Sequence, residues 1–417
     1  TGRKYPQNKN KIKNPLWNGA DIPTAYILFK DKDISRIRPI TSYFKHPLRK
    51  ILGMAHAGIT HIMSQVNKKI RGHYTLNIGK PENLLPMIKH INKLSKEQPQ
   101  CMKIETYMGD IKKMYTELLH SEIKKAVDWI LQLYADRFGN TIKIRKRLRT
   151  DPLTRDMNVV RGTSHVSEKQ YMTITLDQLK QIVHFDLGNT FFKVGTKLYL
   201  QIKGIPMGSN LSPALAYRIC EYYERRIPNR IPTSRLRFLF GARYMDDLLL
   251  IYMYAQGDEV MRQLLETDVQ MITDTDREDP IYHKDLKIKP ETDPRGAPCL
   301  GTLITVETAE SGNQTLDIRY LNKNEITIQQ TEPFQKTLRL QHIRSFTPMQ
   351  QKLGIIIGEI TRIKRLTLHD EESIKQIKIL SQELKLLGYQ DSHLKKAICK
   401  KFNRTTDLFW HNHRRFF

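Results

Sequence analysis

Two strand-like runs flank a pair of acidic residues in the second half of the chain. Leu236–Phe240 and Leu248–Tyr252 are rich in Leu, Phe and Ile, and the sequence Tyr-Met-Asp-Asp at 244–247 separates them. This pattern predicts a β-hairpin with Asp246 and Asp247 at its tip. Because side chains alternate faces along a strand, Asp246 and Asp247 should not both point the same way, and we expect Asp246 to ligate a metal and Asp247 to support it. Taken alone, an Asp-Asp pair is more often an ordinary surface turn than a metal site.

A third strand pattern lies upstream and also ends in an acid. Met102–Met108 alternates between apolar and polar residues and leads into Gly109 and Asp110, with Tyr115 five residues later. A glycine-containing loop over 201–211 follows and runs into a helical pattern. Ser212 and Pro213 fit the start of that helix, and Gly208 allows a close backbone approach.

The remaining hydrophobic pattern predicts strands near the N-terminus and helices near the C-terminus. A hairpin is expected over 25–41, with Arg36 and Arg38 on its second strand, and a helix over 47–65. Helices are expected over 348–366, capped by Thr347, and over 372–387. Their apolar faces predict a core. On the first of them we expect Lys352, Arg362 and Arg365 on a basic face that binds a nucleic-acid duplex, although for any one of these cations a solvated face is the favoured interpretation.

Charge and cysteine content change the picture in different ways. The 417 residues include 69 Lys and Arg against 43 Asp and Glu, a net charge of +26, which favours polyanionic partners. The four cysteines form no Cys-x-x-Cys pair, which is typical of reduced thiols in an intracellular protein. The sequence does not distinguish a nuclear from a mitochondrial location. No apolar run approaches the length of a membrane span, so no membrane partner is expected.

A basic segment interrupts the region between Asp110 and the glycine loop. Five of the seven residues in Lys143–Arg149 are basic. We interpret the surrounding stretch, 137–170, as a loop-like insertion. Phosphate contacts need only charge and reach, so Arg145, Lys146, Arg147 and Arg149 are candidates for RNA binding. A solvated loop without a ligand is an equally good interpretation.

Taken in order, these motifs resemble those of the reverse transcriptases. The acid at Asp110, the pattern Gly-x-x-Met-Gly-x-x-x-Ser-Pro at 204–213 and Tyr-x-Asp-Asp at 244–247 are similar to that family's motifs A, B and C. The likeness is greatest to Penelope-like elements, which are related to telomerase, and it covers roughly 25–400. Cys299–Ile304 resembles motif E, and 344–389 resembles the thumb. No Gly-Ile-Tyr/Tyr-Ile-Gly nuclease module is recognisable after the thumb.

The resemblance implies an α/β (α+β) fold of the right-hand polymerase type, with fingers, palm and a helical thumb. We expect a basic N-terminal arm at 1–20, fingers at 21–100 and a palm at 101–310 that contains the insertion. A connection and helical thumb would follow at 311–402, and a basic and aromatic tail at 403–417.

The resemblance also assigns roles within the site. Asp110, Asp246 and Asp247 would bind two Mg²⁺ ions, with Mn²⁺ as a substitute, since hard cations prefer oxygen ligands. Tyr115 would pack under the sugar of the incoming nucleotide. The alternative interpretation is that Tyr115 is an ordinary core residue. Arg38, or else Arg36, would reach the triphosphate, and Met207 and Gly208 would line the nucleotide.

The expected function is RNA-directed DNA synthesis. An RNA template, a DNA or RNA primer and dNTPs are the implied partners, with a ribonucleoprotein as a further possible assembly. One alternative is a domesticated reverse-transcriptase fold that serves as an RNA-binding scaffold. The other is RNA-templated RNA synthesis, which an aromatic side chain at Tyr115 disfavours.

Overall fold

A computed structural model describes residues 21–30, 33–70, 74–150, 155–322, 324–325 and 340–402. The expected N-terminal arm (1–20) and the tail (403–417) lie outside the described residues. Two compact units share the chain and are interleaved in sequence. The described parts of Thr1–Phe29, Ile37–His73 and Met114–Tyr222 form the first unit, and those of Lys30–Arg36, Tyr74–Lys113 and Tyr223–Phe417 form the second. The linear domain boundaries expected from the sequence stay a prediction.

The first unit combines two small sheets with helices. Its strands are β1 (Thr24–Lys30), β2 (Asp33–Ser42), β4 (Thr141–Arg145), β5 (Val159–Arg161), β6 (Tyr171–Thr175), β7 (Phe191–Val194) and β8 (Lys197–Leu200), of which β1 and β2 extend into the second unit. One sheet has the order β2-β1-β7-β8 and the other the order β5-β4-β6. The helices are α1 (Arg49–Lys69), α3 (Met114–Glu117), α4 (His120–Phe138), α5 (Leu176–Gly188) and α6 (Ser212–Glu224), the last of which ends in the second unit.

Helix α1 supplies the centre of the first unit's core. Its buried residues recur every three or four positions, as on one face of a helix, and they include Leu52, Ile59 and Val66. This face packs against α4, α5 and β4. A capping box starts α5: the Gln178 backbone N–H donates to the Thr175 hydroxyl, and the Thr175 backbone N–H donates to the Gln178 side chain.

The second unit contains the sheet that carries the acidic residues. Its strands are β3 (Met102–Ile111), β9 (Leu239–Tyr244), β10 (Asp247–Ala255), β11 (Ile288–Pro290), β12 (Ala297–Cys299), β13 (Thr302–Thr308) and β14 (Gln314–Tyr320). They form an antiparallel sheet of order β11-β3-β10-β9 and a second of order β12-β13-β14. The helices are α2 (Leu84–Glu97), α7 (Ile227–Arg230), α8 (Thr233–Leu236), α9 (Glu259–Thr273), α10 (Met349–Leu366), α11 (Asp370–Leu386) and α12 (Asp391–Phe402).

Strand β10 lies at the centre of the second unit. Every residue from Leu248 to Met253 is buried, which is the pattern of a strand covered on both faces. Leu249 and Ile251 belong to a core cluster that also contains residues of α2 and of the sheet formed by β12, β13 and β14. A separate cluster joins α10, α11 and α12, with Ile360 and Leu380 fully buried in it. Among the described residues, no helix has the length and apolarity that a membrane crossing requires.

The predicted elements were confirmed with shifts at their ends. The hairpin strand expected at Leu236–Phe240 begins later, at Leu239, because Pro232 starts helix α8 and the Leu236 N–H donates to its carbonyl (2.9 Å). The helix expected from Pro348 starts at Met349, and Thr347 does not cap it: Pro348 is the N-cap residue and makes no side-chain cap bond.

The expectation of a loop-like insertion over 137–170 was wrong for the residues of β4 and β5, which lie within that stretch. Lys143 to Arg145 belong to β4, which pairs with β5 on one side and β6 on the other. Ile142 and Ile144 are fully buried beneath this sheet. Apolar alternation therefore determines the structure here despite the density of positive charge.

Candidate active site

The pairing of β3 with β10 brings the acidic residues together. In this antiparallel ladder, Asp247 lies directly opposite Asp110. The connection continues beyond the ladder, because the Ile111 N–H donates to the carbonyl of Asp246 (2.8 Å). Acids that are 136 positions or more apart in the sequence thus lie at the same end of two neighbouring strands.

A tight turn joins β9 to β10 and presents Asp246. Tyr244 pairs with Asp247, which leaves Met245 and Asp246 as the two turn residues. Met245 has a φ of 58°, a left-handed conformation that costs a residue other than glycine roughly 1–2 kcal/mol. Strain of this kind is held in place by surrounding contacts and is frequent at functional sites.

The three carboxylates converge. One ligand oxygen from each of Asp110, Asp246 and Asp247 lies within 4.8 Å of the other two. The expectation that Asp246 and Asp247 point apart was wrong, because Asp246 belongs to the turn and strand alternation does not apply to it. Asp246 is exposed, whereas Asp110 and Asp247 are half-buried. Three hard oxygen donors in this arrangement could hold a divalent cation such as Mg²⁺ or Mn²⁺.

A lysine lies beside these acids. The Lys112 ammonium forms a short ion pair with Asp110 and a second one with Glu291 (3.6 Å). Burial alone would lower the pKa of Lys112, but the hydrogen bonds and charges of Asp110 and Glu291 outweigh it and raise the pKa. Lys289 on β11 lies opposite Asp110 in the ladder. Fixed positive charge therefore adjoins the acid cluster.

The glycine loop is built into the first unit by backbone contacts. The Ile205 N–H donates to the carbonyl of Tyr115 (2.7 Å), and the Thr41 N–H donates to the carbonyl of Met207 (2.9 Å). A Cβ atom on Gly208 would clash with the Thr41 carbonyl oxygen. At Gly204 it would lie 2.6 Å from the Tyr115 carbonyl oxygen. Both glycines are thus required by neighbouring backbone, whether or not a nucleotide is bound.

The other predicted nucleotide contacts are placed as follows. Tyr115 is half-buried in the short helix α3, Met207 is half-buried, and Arg38 is exposed on β2. Arg36 lies on the same strand, and its side chain is outside the described residues.

The predicted basic contacts differ in their surroundings. Lys146, Arg147 and Arg149 are exposed, while the Arg145 guanidinium stacks on the Tyr171 ring, 5.6 Å from its centroid. The main chain of Arg149 is fixed by Asn158, whose side chain bonds both the Arg149 N–H (2.6 Å) and its carbonyl (2.8 Å).

One assignment on α10 was wrong. Lys352 is buried, 3% exposed, and its ammonium donates to the carbonyls of Ile343 (2.6 Å) and Ser345 (2.8 Å). The long aliphatic stem places this lysine on the inner face of the helix, so it is unavailable to a duplex. Arg362 and Arg365 are exposed as expected, although Arg362 also donates to the Leu300 carbonyl (3.3 Å).

Sequence reasoning missed a buried pair next to the acids, Arg243 and Glu224. Both side chains are fully buried and form a short ion pair. One signal could have revealed Glu224: it lies four residues after buried Cys220, so it continues the buried face of α6. Arg243 gives no such signal, because a charged residue two positions from a turn is usually exposed.

Comparisons with known proteins show the fold. The chain is similar to apo telomerase from Candida tropicalis, with a TM-score of 0.50, 11% identity and coverage of 96% of this chain. Telomerase from Candida albicans, in complex with the TWJ fragment of telomeric RNA, gives a TM-score of 0.50 with 13% identity over 95% of this chain. The chain spans 61% and 66% of the lengths of those two proteins.

Comparison of the sequence with family models matches a shorter part of the chain. Residues 339–398 match the animal helix-turn-helix domain family. This stretch contains α10, α11 and the first two turns of α12. No curated protein sequence matches the chain. The described chain therefore has a mixed α/β fold similar to that of telomerase structures, with a cluster of three acids that could hold a metal.

Proposed function

We propose that the chain is an RNA-directed DNA polymerase that extends a primer 3′-hydroxyl with dNTPs. The observation that carries this proposal is the convergence of Asp110, Asp246 and Asp247 at the end of two paired strands. The similarity to telomerase in fold supports it, as does the net charge of +26. The motif order supports a Penelope-like type with fingers, palm and thumb.

The reaction depends more on stabilising the negative charge of the reacting groups than on covalent catalysis. When bound, two Mg²⁺ ions would activate the primer hydroxyl and neutralise the pyrophosphate leaving group. The three carboxylates would hold these ions, and Asp110 would exchange its contact with Lys112 for a metal. The Lys112 ammonium would then keep its ion pair with Glu291.

Residues outside the acid cluster would select and orient the nucleotide. Tyr115 would pack under the sugar and exclude a 2′-hydroxyl, and Arg38, or else Arg36, would contact the triphosphate. Met207 and Gly208 would line the nucleotide, held by their contacts with Thr41. Exposed cations on both units would bind phosphates. In the second unit these are Arg362 and Arg365 on α10, within the stretch that matches a helix-turn-helix domain.

A scaffold function is the second candidate, and the basic segment after β4 favours it. Lys146, Arg147 and Arg149 are exposed, and Asn158 fixes the main chain at Arg149. A fixed cationic segment can dock structural RNA without any chemistry. Primer extension would be absent in that case, while RNA binding would persist.

The metal site generates the first prediction. Asp110→Asn and Asp246→Asn should each lower the primer-extension rate by about a hundredfold or more, because bound metals supply several kcal/mol of transition-state stabilisation. Template-primer affinity should stay within about twofold of the parent chain, since phosphate contacts lie elsewhere. Single-turnover extension and fluorescence anisotropy measure the two quantities.

The matched control is Asp258→Asn, which also removes one carboxylate charge from the second unit. Asp258 caps α9 by accepting from the Met261 N–H (2.9 Å), and Asn caps as well as Asp. Near-normal turnover in either cluster variant would refute the assignment.

Sugar selection generates the second prediction. Tyr115→Ala should raise ribonucleotide incorporation relative to the parent by roughly tenfold or more, because the space of a 2′-hydroxyl is no longer filled; that discrimination corresponds to about 1.4 kcal/mol. Tyr115→Phe keeps the ring and should preserve discrimination. The ratio of kcat/KM for dNTP and NTP in single-nucleotide incorporation provides the measurement. Equal ratios in all three proteins would make Tyr115 a packing residue.

The exposed basic segment generates the third prediction. Replacing Lys146, Arg147 and Arg149 with Ala should weaken RNA binding and reduce its log-log salt slope by about 2, at roughly 0.7 per lost phosphate contact. Extension on a short preformed primer-template at saturating concentration should persist.

A control that replaces exposed Lys89, Lys93 and Lys96 of α2 with Ala removes the same charge from the second unit. It should leave the slope nearly unchanged. Lost extension with undiminished RNA affinity would instead assign the segment to catalysis.

A further inference from the structure

A charged pair is enclosed directly behind the turn that carries Asp246. Arg243, on β9, and Glu224, at the end of α6, are each 0% exposed. Burying two charges carries a desolvation cost of several kcal/mol per ion, which their attraction offsets only with good geometry and further hydrogen bonds. Net stability is therefore a weak explanation for this pair, whose hydrogen bonds indicate a positional role.

Glu224 is held firmly by its surroundings. One carboxylate oxygen accepts from Arg243 Nε and from the Tyr282 hydroxyl (2.9 Å). The other accepts from the Leu76 N–H (2.9 Å) and the Thr75 hydroxyl (3.0 Å). Burial alone would raise the pKa of Glu224, but the charge of Arg243 and these hydrogen bonds outweigh it and lower the pKa. Glu224 is thus a fixed anion to which Arg243 is attached.

Arg243 connects the fixed Glu224 carboxylate to the turn. Its Nη1 donates to the carbonyl of Met245 (3.2 Å), the residue with the left-handed conformation. On the other side of Asp246, the Asp246 carbonyl accepts from the Ile111 N–H (2.8 Å). The peptide groups before and after Asp246 are therefore both anchored, one by Arg243 and the other by the end of the strand that carries Asp110.

We propose that Arg243, fixed by Glu224, is a positioning residue that holds the Met245–Asp246 turn so that the Asp246 carboxylate stays within ligand distance of Asp110 and Asp247. This inference rests on the proposed metal-dependent function of the acid cluster. Arg243 acts through the turn and contacts no reacting atom. A guanidinium suits the task because its planar fork can bond Glu224 and the Met245 carbonyl at once, which a lysine ammonium on a flexible stem does not reproduce.

The test compares three variants of the full chain. Arg243→Lys keeps the positive charge but loses the planar guanidinium. Glu224→Gln keeps the size of the side chain but removes the negative charge that holds Arg243. The control is Arg235→Lys, the same substitution in another pair with a buried acid: Arg235 bonds Asp268 in two places (2.7 and 3.0 Å), and Asp268 is 1% exposed. That pair joins α8 to α9 and leaves the turn untouched.

Three quantities are measured for each protein: Mn²⁺ binding by electron paramagnetic resonance, the melting temperature, and extension rate as a function of Mg²⁺ concentration. All three variants should have a lower melting temperature than the parent. Arg243→Lys should weaken Mn²⁺ binding by about 10- to 100-fold, the usual effect of losing a residue that orients a metal ligand. Glu224→Gln should weaken it in the same direction, and Arg235→Lys should leave it within about twofold.

The outcomes separate this inference from the function on which it rests. Mn²⁺ affinities of Arg243→Lys and Glu224→Gln that match the Arg235→Lys control would overturn the positioning role and leave the pair as part of the core. If Arg243→Lys fails to fold, Glu224→Gln decides alone. A parent chain that binds Mn²⁺ through the three acids but never extends a primer would overturn the polymerase and leave the positioning role supported. A parent chain that does neither would overturn both.

Discussion

The antiparallel register between β3 and β10 is the constraint on which the candidate site depends. It places Asp247 opposite Asp110, and the bond from the Ile111 N–H to the Asp246 carbonyl extends the same alignment into the turn. A slip of one residue would move every side chain of a strand to the other face. Because Leu248 to Met253 are all buried, such a slip would disrupt packing on both sides of β10, and the core therefore fixes the positions of the acids.

Two sets of ion pairs surround the acids that this register aligns. At the surface of the cluster, Lys112 balances Asp110 and Glu291 in contacts that a metal could replace. Beneath the turn, Glu224 and Arg243 form a buried pair whose hydrogen bonds extend to Leu76, Tyr282 and the Met245 carbonyl. The first arrangement is partly exposed and exchangeable, whereas the second is enclosed. That contrast suits a site in which ligands must bind and leave while the turn keeps its shape.

Part of this arrangement could be predicted from sequence and part could not. The hairpin and the acid near the end of β3 were predictable because strand alternation, turn residues and motif order all gave the same answer. The burial of Lys352, the strand within the basic segment and the Arg243–Glu224 pair were missed, since each depends on tertiary contacts that override the usual exposure of a charged residue. The resemblance placed Asp246 and Asp247 in one metal site, whereas strand alternation gave the wrong direction for Asp246, because the turn, rather than the strand, sets that direction.

The measurement that tests the central claim most directly is primer extension by the purified chain with Mg²⁺. A labelled primer is annealed to an RNA template or to a DNA template of the same sequence, and dNTPs or NTPs are supplied in parallel. The account predicts templated addition of dNTPs on RNA, loss of that addition when a chelator removes the metal, and much slower addition of NTPs. Tight binding to the RNA template with no extension under any of these conditions would contradict it and favour the scaffold.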